Sequence, residues 1–213
     1  MMKKKKIVTL VAIALSAIVI WAYNEYKPLP VVYCTSTYPD YSVKELAIES
    51  ENIVYGKVVS IAPTQMHEVR VSTTLDPTKV EDVLYYPVTP VTISIKDSIK
   101  GDELSKIIYF EESGVTDTYI QKAQGYQMSQ GMEVVLFLNE EGYGWGSQSV
   151  YPVIDDQVVL QDKAINEIPS NKINSISADV IEEKYSISSS YEAENVSTTS
   201  LDEFLKLVNS YIN

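Results

Sequence analysis

Residues 91–111 read VTISIKDSIKGDELSKIIYFE, and this stretch decides the fold class. Apolar and polar residues alternate at 91–96, which is the pattern of a strand with one buried face. Lys100-Gly101-Asp102 marks a turn, and residues 106–111 supply a second run rich in β-branched and aromatic side chains. The stretch therefore predicts an antiparallel hairpin.

Further strands are predicted on both sides of this hairpin. The segment 53–61 (IVYGKVVSI) is dense in β-branched residues, and 132–138 (MEVVLFL) is a continuous apolar run with the length of a central strand. Two more strands, 145–154 and 157–160, flank a turn. Because helices do not alternate with these strands, a parallel doubly wound sheet is disfavoured. We expect a mainly β fold that closes as a small antiparallel barrel, since closure removes exposed edges.

Two capping-box patterns predict a helix at each end of this β region. Ser42 and Glu45 have the spacing of an N-cap residue and the glutamate that bonds back to it, and Ser200 and Glu203 repeat that spacing. After Ser200, apolar residues recur at helical spacing on one face. We therefore expect a short N-terminal helix and a C-terminal amphipathic helix that docks on the barrel.

The amino terminus has the composition of a membrane segment. Four lysines at 3–6 precede residues 7–22, whose only polar members are one Thr and one Ser. As a helix this run spans about 24 Å, slightly less than the ~30 Å hydrocarbon core of a bilayer. Trp21 and the tyrosines after it suit the membrane interface. We expect one uncleaved transmembrane helix at 7–23.

The positive-inside rule places the four lysines in the cytoplasm and the chain after residue 23 outside the cell membrane, as a single-pass protein. A cleaved signal sequence is the main alternative and would make the protein secreted. Its cleavage site is poor, because Ile20 of Ile20-Trp21-Ala22 stands where a small residue is needed. A buried helix of a soluble protein is the third interpretation.

On these grounds the chain divides into six segments. They are a cytoplasmic basic tail at 1–6, the transmembrane anchor or signal sequence at 7–23, a proline-containing stalk at 24–41, the β-barrel domain at 42–162, a Ser-rich connector at 163–200 and the C-terminal helix at 201–213. The lone Cys34 lies in the stalk, where a free thiol and an intermolecular disulfide are both open interpretations.

Three motifs give the barrel region a resemblance to a known group. They are V-x-G-x-V at 54–58, the I-K-G-D turn at 99–102 and G-x-E-V-x-L-F-L at 131–138. Together they resemble bacterial secreted or membrane-anchored proteins with an OB-like β-barrel, related in outline to the netrin and tissue-inhibitor-of-metalloprotease type. The resemblance implies this fold over about residues 46–160. It carries no catalytic signature, and because the cysteines of the animal inhibitors are missing, it does not imply inhibitory activity.

Composition narrows the classes of function. The chain has 17 basic and 29 acidic residues, a net charge of −12, and residues 111–213 alone hold 17 acidic against 5 basic residues. Phosphate binding rests on clustered Lys and Arg, so we expect no nucleic-acid partner. A cationic surface, a divalent cation or a basic protein is the better match. One histidine and one cysteine exclude an internal disulfide framework and most zinc sites.

The glycine-rich stretch 142–146 reads GYGWG. A dinucleotide-binding loop needs a helix after it, and β-branched sequence follows here, so a hairpin tip is predicted instead. Tyr143 and Trp145 would be displayed at that tip. They are the predicted binding residues, because exposed aromatic side chains stack on sugars or peptides.

Acidic turns suggest a calcium site. Glu140, Glu141, Asp155 and Asp156 could meet at one end of the barrel and bind Ca²⁺ through carboxylate oxygens. No D-x-D-x-D-G loop supports this site, so solvated turns are the alternative, and no other cofactor is expected. The single histidine, His67, has no G-x-S-x-G serine to activate, and no catalytic residue is predicted.

The sequence therefore predicts a membrane-tethered extracytoplasmic binding or interaction module without catalytic activity. Its expected partner is an unknown extracytoplasmic protein or cell-surface ligand. An inhibitor or immunity-type protein acting on a secreted hydrolase is the alternative, and an enzyme acting at the cell wall is the third class. The most useful single observation would be whether a cleft lined by Tyr and Trp exists on the barrel.

Overall fold

The structure, a computed structural model, describes residues 27–33, 38–71, 82–123, 126–185 and 195–212. The chain divides after Pro30, and the fold described below is that of the unit Val31–Asn213. The predicted anchor at 7–23 and Cys34 lie outside the described residues. Within those residues, no helix is long and apolar enough to span a membrane.

Strands dominate the described part of this unit, which confirms the mainly β prediction. The strands are β1 (Val31–Tyr33), β2 (Asn52–Ile61), β3 (Gln65–Val71), β4 (Asp82–Lys100), β5 (Lys106–Glu111), β6 (Gly114–Val115), β7 (Ile120–Lys122), β8 (Glu133–Leu138), β9 (Val150–Ile154), β10 (Gln157–Val159), β11 (Asn174–Ser177) and β12 (Asn195–Ser200). The helices are α1 (Val43–Glu49), α2 (Asp162–Ile165), α3 (Ala178–Tyr185) and α4 (Leu201–Ile212), with 3-10 turns at Gly146–Ser149 and Ser170–Lys172.

Nine of the strands form one sheet in the order β11-β12-β10-β9-β8-β2-β4-β3, with β5 also paired to β4. Every pairing in it is antiparallel, as predicted. β8 lies between β2 and β9, and its continuous apolar run is explained by burial on both faces. A second, three-stranded sheet pairs β1 with β7 in parallel and β7 with β6 antiparallel.

The hairpin predicted at 91–111 is present, since β4 and β5 pair from Thr89↔Glu111 to Ser94↔Lys106. β4 is longer than predicted. Its first half pairs with β3 in a two-stranded ribbon, from Gln65↔Val88 to Val71↔Asp82, and the sequence patterns above did not predict this ribbon. Pro90 does not interrupt β4, because its carbonyl oxygen still accepts a hydrogen bond from the Ala62 N–H at 2.9 Å. A proline is tolerated in a strand wherever its missing N–H is not needed.

Because successive side chains of a strand point to opposite faces of the sheet, the central strands contribute to two hydrophobic clusters, one on each face. On the first face, Val134 and Leu136 pack with residues of the 126–132 segment and of α3. On the second face, Val135 and Phe137 pack beneath α1 and α4. Helices and a loop segment therefore cover both faces of the sheet.

The sheet does not close into the predicted barrel. Closure of the path β9-β8-β2-β4-β5 requires β5 to pair with β9, and no such pair occurs among the described strands. The second edge of β9 pairs with β10 instead, through Val153↔Val158. The outer edge of β5 donates the Phe110 N–H to the Gly142 carbonyl oxygen at 3.0 Å. Because both edges find other partners, the sheet stays open between β5 and β9.

Both predicted terminal helices are present. The capping box of α1 is formed as predicted, since Ser42 Oγ accepts from the Glu45 N–H at 3.2 Å and the Glu45 carboxylate accepts from the Ser42 N–H at 2.7 Å. At the start of α4, Ser200 Oγ accepts from the Glu203 N–H at 3.3 Å. The apolar face of α4 docks on the sheet, with Phe204 fully buried.

The structure differs from the prediction between 145 and 200. Residues 146–149 form a 3-10 turn, so the strand predicted at 145–154 begins only at Val150. The region predicted as a Ser-rich connector, 163–200, contains β11, α3 and β12, and β12 pairs with β10 from Gln157↔Ser200 to Val159↔Thr198. Threonine is β-branched and fits a pleated surface, which explains why this Ser/Thr-rich sequence forms a strand.

Candidate functional site

A small cleft, with a cavity volume of about 20 Å³, lies on the open side of the sheet between β5 and β9. The loop 139–149, which joins β8 to β9, contributes one of its walls. The lining residues are Tyr38, Tyr109, Phe110, Glu112, Ala123, Tyr126, Tyr143, Gly144, Gly146, Ser147 and Val150. Five of these eleven described residues are aromatic, and one is a carboxylate.

Asn139 organises the turn that brings the loop to the cleft. Its side-chain oxygen accepts hydrogen bonds from the Glu141 N–H at 3.0 Å and the Tyr143 N–H at 2.9 Å, as in an Asx turn. Gly142 has φ 88, and a Cβ added there would lie 2.4 Å from the Ile108 carbonyl oxygen. Only glycine allows this left-handed turn to approach β5 so closely.

Tyr143 is held in the cleft on two sides. Its ring stacks on Phe110 with centroids 4.9 Å apart and an interplanar angle of 20°. Its hydroxyl lies 2.8 Å from His67 Nδ1 on β3. Burial raises the pKa of the Tyr143 phenol, and the negative charges of Glu141 and Glu112 raise it further. At neutral pH the cleft therefore presents a protonated phenol in a negative field.

Tyr38 supplies a wall from the segment that precedes α1. Its hydroxyl donates a hydrogen bond to the Glu112 carboxylate. Its ring lies against Gly146, which has φ 64 and where an added Cβ would lie 3.0 Å from Tyr38 Cδ2. The Gln148 side-chain amide donates a hydrogen bond to the Pro39 carbonyl oxygen at 2.7 Å and accepts one from the Tyr41 N–H at 2.8 Å. Tyr38 is thus fixed against the 3-10 turn that follows the loop.

A buried acid stands behind the cleft. Glu111 follows Phe110 on β5, and its side chain is 1% exposed. Its carboxylate accepts hydrogen bonds from the Ser113 hydroxyl and, at 2.6 Å, from the Met128 N–H. Burial raises the pKa of Glu111, and these two hydrogen bonds oppose the rise. The bond to Met128 ties the segment that carries Tyr126, a nearly buried lining residue, to β5.

Of the two predicted binding residues, Tyr143 lines the cleft and Trp145 does not. The Trp145 ring meets Tyr41 edge-on, with centroids 6.0 Å apart. It packs against the cluster beneath α1 and α4. The backbone N–H of Trp145 donates a hydrogen bond to Ser149 Oγ at 2.5 Å, which tightens the turn. Tyr143 thus lines the cleft, whereas Trp145 packs against the hydrophobic core.

The four predicted calcium ligands do not come together. β8 and β9 pair antiparallel, with Glu133 opposite Val153. The turn that holds Glu140 and Glu141 therefore lies at one end of this strand pair, and the turn that holds Asp155 and Asp156 lies at the other. No group of three or more potential metal ligands occurs in the described part of the chain. All four acids are exposed turn residues, which matches the alternative of solvated turns.

A second cluster of titratable side chains involves Tyr55, Lys96 and Glu133. Lys96 Nζ lies 2.7 Å from the Glu133 carboxylate and 3.1 Å from the Tyr55 hydroxyl, which itself donates to Glu133 at 2.5 Å. Burial raises the pKa of Tyr55, and the hydrogen bond to Glu133 raises the pKa of Lys96. The tyrosine is kept neutral and the lysine charged, so this cluster behaves as an ion pair that links β4 to β8 and does not activate a nucleophile.

Most of the residues that line the cleft were not predicted from the sequence as binding residues. Tyr109, Phe110 and Glu112 belong to or follow β5, while Tyr38 and Tyr126 come from two other segments of the chain. The signal that could have drawn attention to them is composition, since the chain has 16 Tyr against 3 Phe. Hydroxyl-bearing rings in such excess suit a wet, half-buried surface better than a dry core.

Comparisons with known protein families, with curated proteins and with solved structures found no match to this chain. The resemblance to bacterial OB-like proteins therefore stays a prediction from three sequence motifs. The interpretation of the cleft rests on its own geometry and electrostatics.

Proposed function

We propose that this protein is a membrane-tethered extracytoplasmic binding module without catalytic activity, and that the cleft between β5 and β9 is its ligand-binding site. The observation that carries the proposal is the convergence of five aromatic rings from four separate segments. These rings are Tyr38, Tyr109, Phe110, Tyr126 and Tyr143. Ligand sites are mostly concave and apolar, with a few polar groups that fix the orientation of the ligand.

The walls of the cleft are held in place by contacts within the protein. Tyr143 is stacked on Phe110 and bonded to His67, and Tyr38 is bonded to Glu112. Such walls lose little conformational entropy when a ligand binds, so more of the contact energy appears as affinity. Tyrosine is well suited to this role because it offers a large rigid surface and a polar tip.

The ionisable groups of the cleft favour binding over catalysis. The raised pKa of Tyr143 makes its phenol a poor nucleophile at neutral pH. The Glu111 carboxylate already accepts hydrogen bonds from Ser113 and Met128 behind the cleft. These two features support a non-catalytic role.

The location and the family in this proposal come from the sequence. The apolar run at 7–22 behind four lysines supports a single-pass anchor with the domain outside the membrane. The relation to bacterial proteins with an OB-like barrel is also part of the proposal. It is supported by the antiparallel path β9-β8-β2-β4-β5, whose two ends border the cleft. In this view the sheet is an open variant of such a barrel.

The alternative function, that of an inhibitor or immunity-type protein acting on a secreted hydrolase, is supported by one observation. The β3–β4 ribbon exposes Met66 (52%), Leu84 (52%) and Tyr85 (60%) to solvent. Methionine and tyrosine are enriched in protein interfaces, so the ribbon is a second candidate contact surface. This function predicts that a partner protein covers the ribbon and leaves the cleft open.

Site-specific photo-crosslinking of the full chain in its own membrane tests the leading proposal. A benzophenone amino acid is placed at Ser147 in the cleft or, as a control, at Glu103 in the exposed β4–β5 turn. We expect an adduct from Ser147 alone, and we expect Tyr143→Ala to abolish it. Equal adducts from both positions, or none from Ser147, would contradict the proposal.

A further inference from the structure

We propose that one face of the three-stranded sheet, formed by β1, β7 and β6, contacts the lipid surface of the membrane that holds the anchor. This inference rests on the anchor at 7–23, which is part of the proposed function, and it adds a second contact between the protein and the membrane. It is carried by an apolar row across the sheet, by the direction in which that row points and by the short chain between the sheet and the anchor.

The apolar row crosses the sheet from one edge to the other. Val31 of β1 is paired with Ile120 of β7, and Ile120 is paired in turn with Val115 of β6. Residues directly opposite each other on neighbouring strands share one face of a sheet, so these three side chains lie side by side. Val31 is 48% exposed and Val115 is 60% exposed. A contiguous exposed apolar surface marks an interaction site, whereas apolar residues exposed singly do not.

The row points away from the rest of the fold. Gly114 precedes Val115 on β6, and successive residues of a strand face opposite sides of the sheet. A Cβ added at Gly114 would lie 2.3 Å from Thr64 Cγ2 and 3.1 Å from Pro87 Cβ, so this side of the sheet packs against the β2–β3 connection and β4. The side that carries Val115 therefore faces outward.

Tyr33 and Lys122 extend this outer face, and both residue types suit a membrane interface. They are paired with each other two residues beyond Val31 and Ile120, so they lie on the same face as the row. Tyr33 is 62% exposed. Tyrosine is enriched at the membrane–water interface, and a lysine keeps its ammonium group among the headgroups while its stem packs on apolar groups. The outer face thus combines aliphatic, aromatic and basic side chains.

The charge of the sheet permits this contact, although the chain as a whole is acidic. Residues 27–33 and 114–122, which contain the three strands, hold two lysines and one acid, Asp117. The complete chain has 29 acidic against 17 basic residues. Anionic lipid headgroups attract basic side chains and repel acidic ones. Because acids are scarce in these two segments, the sheet approaches a bilayer with less repulsion than the acidic remainder of the chain.

The connection between the anchor and the sheet is short. Residues 24–30 separate the proposed transmembrane helix from Val31. An extended chain covers at most about 3.6 Å per residue, so β1 lies within about 30 Å of the end of that helix. β1 is also the first of the described strands along the chain. A surface tethered this closely has a high effective concentration at the bilayer, so a weak apolar contact is sufficient.

Photo-crosslinking of the full chain in nanodiscs of phosphatidylcholine tests the inference. A benzophenone amino acid is placed at Val115 on the outer face or, as a matched control, at Leu104, which is 46% exposed before the other end of β5. We expect the peptide that carries position 115 to gain the mass of one phosphatidylcholine, and the peptide that carries position 104 to gain none. Equal lipid adducts at both positions, or none at 115, overturn the inference. An adduct between two copies of the chain in place of lipid overturns it too, because the face would then serve self-association.

Val31→Asp should abolish the lipid adduct at position 115, because it places a charge within the apolar row. Val32→Asp, on the opposite face of β1 and 40% exposed in the wild type, is the matched control and should keep the adduct. An adduct that survives Val31→Asp would show that the row does not make the contact. If Val31→Asp does not fold, the comparison of positions 115 and 104 decides.

The anchor is checked separately by washing the membranes with alkaline carbonate. A chain that is released has no anchor, and this result overturns both the tether and the inference. A chain that stays in the membrane without a lipid adduct at position 115 overturns the inference alone. The crosslinking result at Ser147 is independent of both outcomes, so failure here is distinct from failure of the cleft as a binding site.

Discussion

Glu111 shows at the residue scale how burial couples folding to pH. Its folded-state pKa is raised above the ordinary value of 4.5, because burial disfavours the charged form. Folding therefore favours the protonated acid. The stabilisation from this group is fully present below about pH 4.5 and is lost as the pH rises through the folded-state pKa.

The variant Glu111→Gln tests this coupling, because it keeps an acceptor oxygen for Ser113 or Met128 and removes the charge. We expect the free energy of unfolding of the variant, relative to wild type, to improve as the pH rises from about 5 to about 8. Urea denaturation followed by circular dichroism at both pH values measures it. Glu103→Gln is the exposed control and should show no such trend. A difference between Glu111→Gln and wild type that is independent of pH would contradict the account.

A substitution at Gly146 tests whether Tyr38 forms a wall of the cleft. Gly146→Ala forces a side chain into a left-handed conformation and against the Tyr38 ring, whereas Gly131→Ala at φ 92 meets nothing within 4 Å. Each change should cost about 1–2 kcal/mol of backbone strain in thermal unfolding. Only Gly146→Ala should also displace Tyr38 and reduce the crosslink from Ser147. Loss of that crosslink in both variants, or in neither, would show that Tyr38 is not a wall of the site.

At the scale of elements, α1 is a seven-residue helix held at both ends by side chains from distant segments. The Glu167 carboxylate accepts from the N–H groups of Val43 at 2.6 Å and Lys44 at 3.2 Å. The Lys100 ammonium donates to the carbonyl oxygens of residues 47 and 48, at 3.0 and 2.9 Å. An isolated helix of this length is marginal, and charges of these signs match the helix dipole at each end.

Lys100→Met keeps the length of the side chain and removes the charge at the end of α1. We expect it to lower the free energy of unfolding by about 1–2 kcal/mol, because two carbonyl groups lose their charged donor. Lys106→Met, at an exposed position of β5, is the control and should change stability by less than about 0.5 kcal/mol. Chemical denaturation measures both variants, and equal losses would show that Lys100 has no capping role.

The elements that the sequence predicted are those defined by local patterns. The β4–β5 hairpin, β8 and the capping box at Ser42 follow from alternation, apolar runs and cap spacing. The β3–β4 ribbon and β12 were not predicted, because their segments show no clear alternation of apolar and polar residues. Proline at 90 opposes a strand locally, and pairing with partners outside the segment reverses that preference. Threonine suits a strand, but the serines beside it made 195–200 resemble a connector.

At the scale of the whole molecule, the sheet depends on helices that cover its second face. Phe204 of α4 lies 4.8 Å from Tyr151 and 6.5 Å from Phe137, measured between ring centroids. Phe204→Ala should lower the free energy of unfolding by about 3–5 kcal/mol, because a fully buried ring is replaced by a cavity. Lys206→Ala, exposed on the same helix, should cost less than about 0.5 kcal/mol in the same denaturation experiment. A small loss for Phe204→Ala would mean that α4 does not hold the fold.

The cleft also depends on the whole fold, because its walls come from segments that meet only in the folded chain. This is why few of its residues were predicted from the sequence. Tyr143 was identified because glycines on both sides mark a turn. Tyr38 and Tyr126 become neighbours of β5 only after the sheet has formed with an open side. The failure of the barrel to close creates the cleft, and that failure depends on which strand takes the second edge of β9. No local pattern encodes that choice.

Hydrogen–deuterium exchange of the full chain, with and without a cell-surface extract from its own host, tests whether the cleft between β5 and β9 is the binding site. We expect slower exchange in peptides that cover β5 and the loop 139–149, with little change in the β3–β4 ribbon. Tyr143→Ala should remove the protection. Slower exchange confined to the ribbon, with the cleft unchanged, would contradict the account and favour the inhibitor-type function instead.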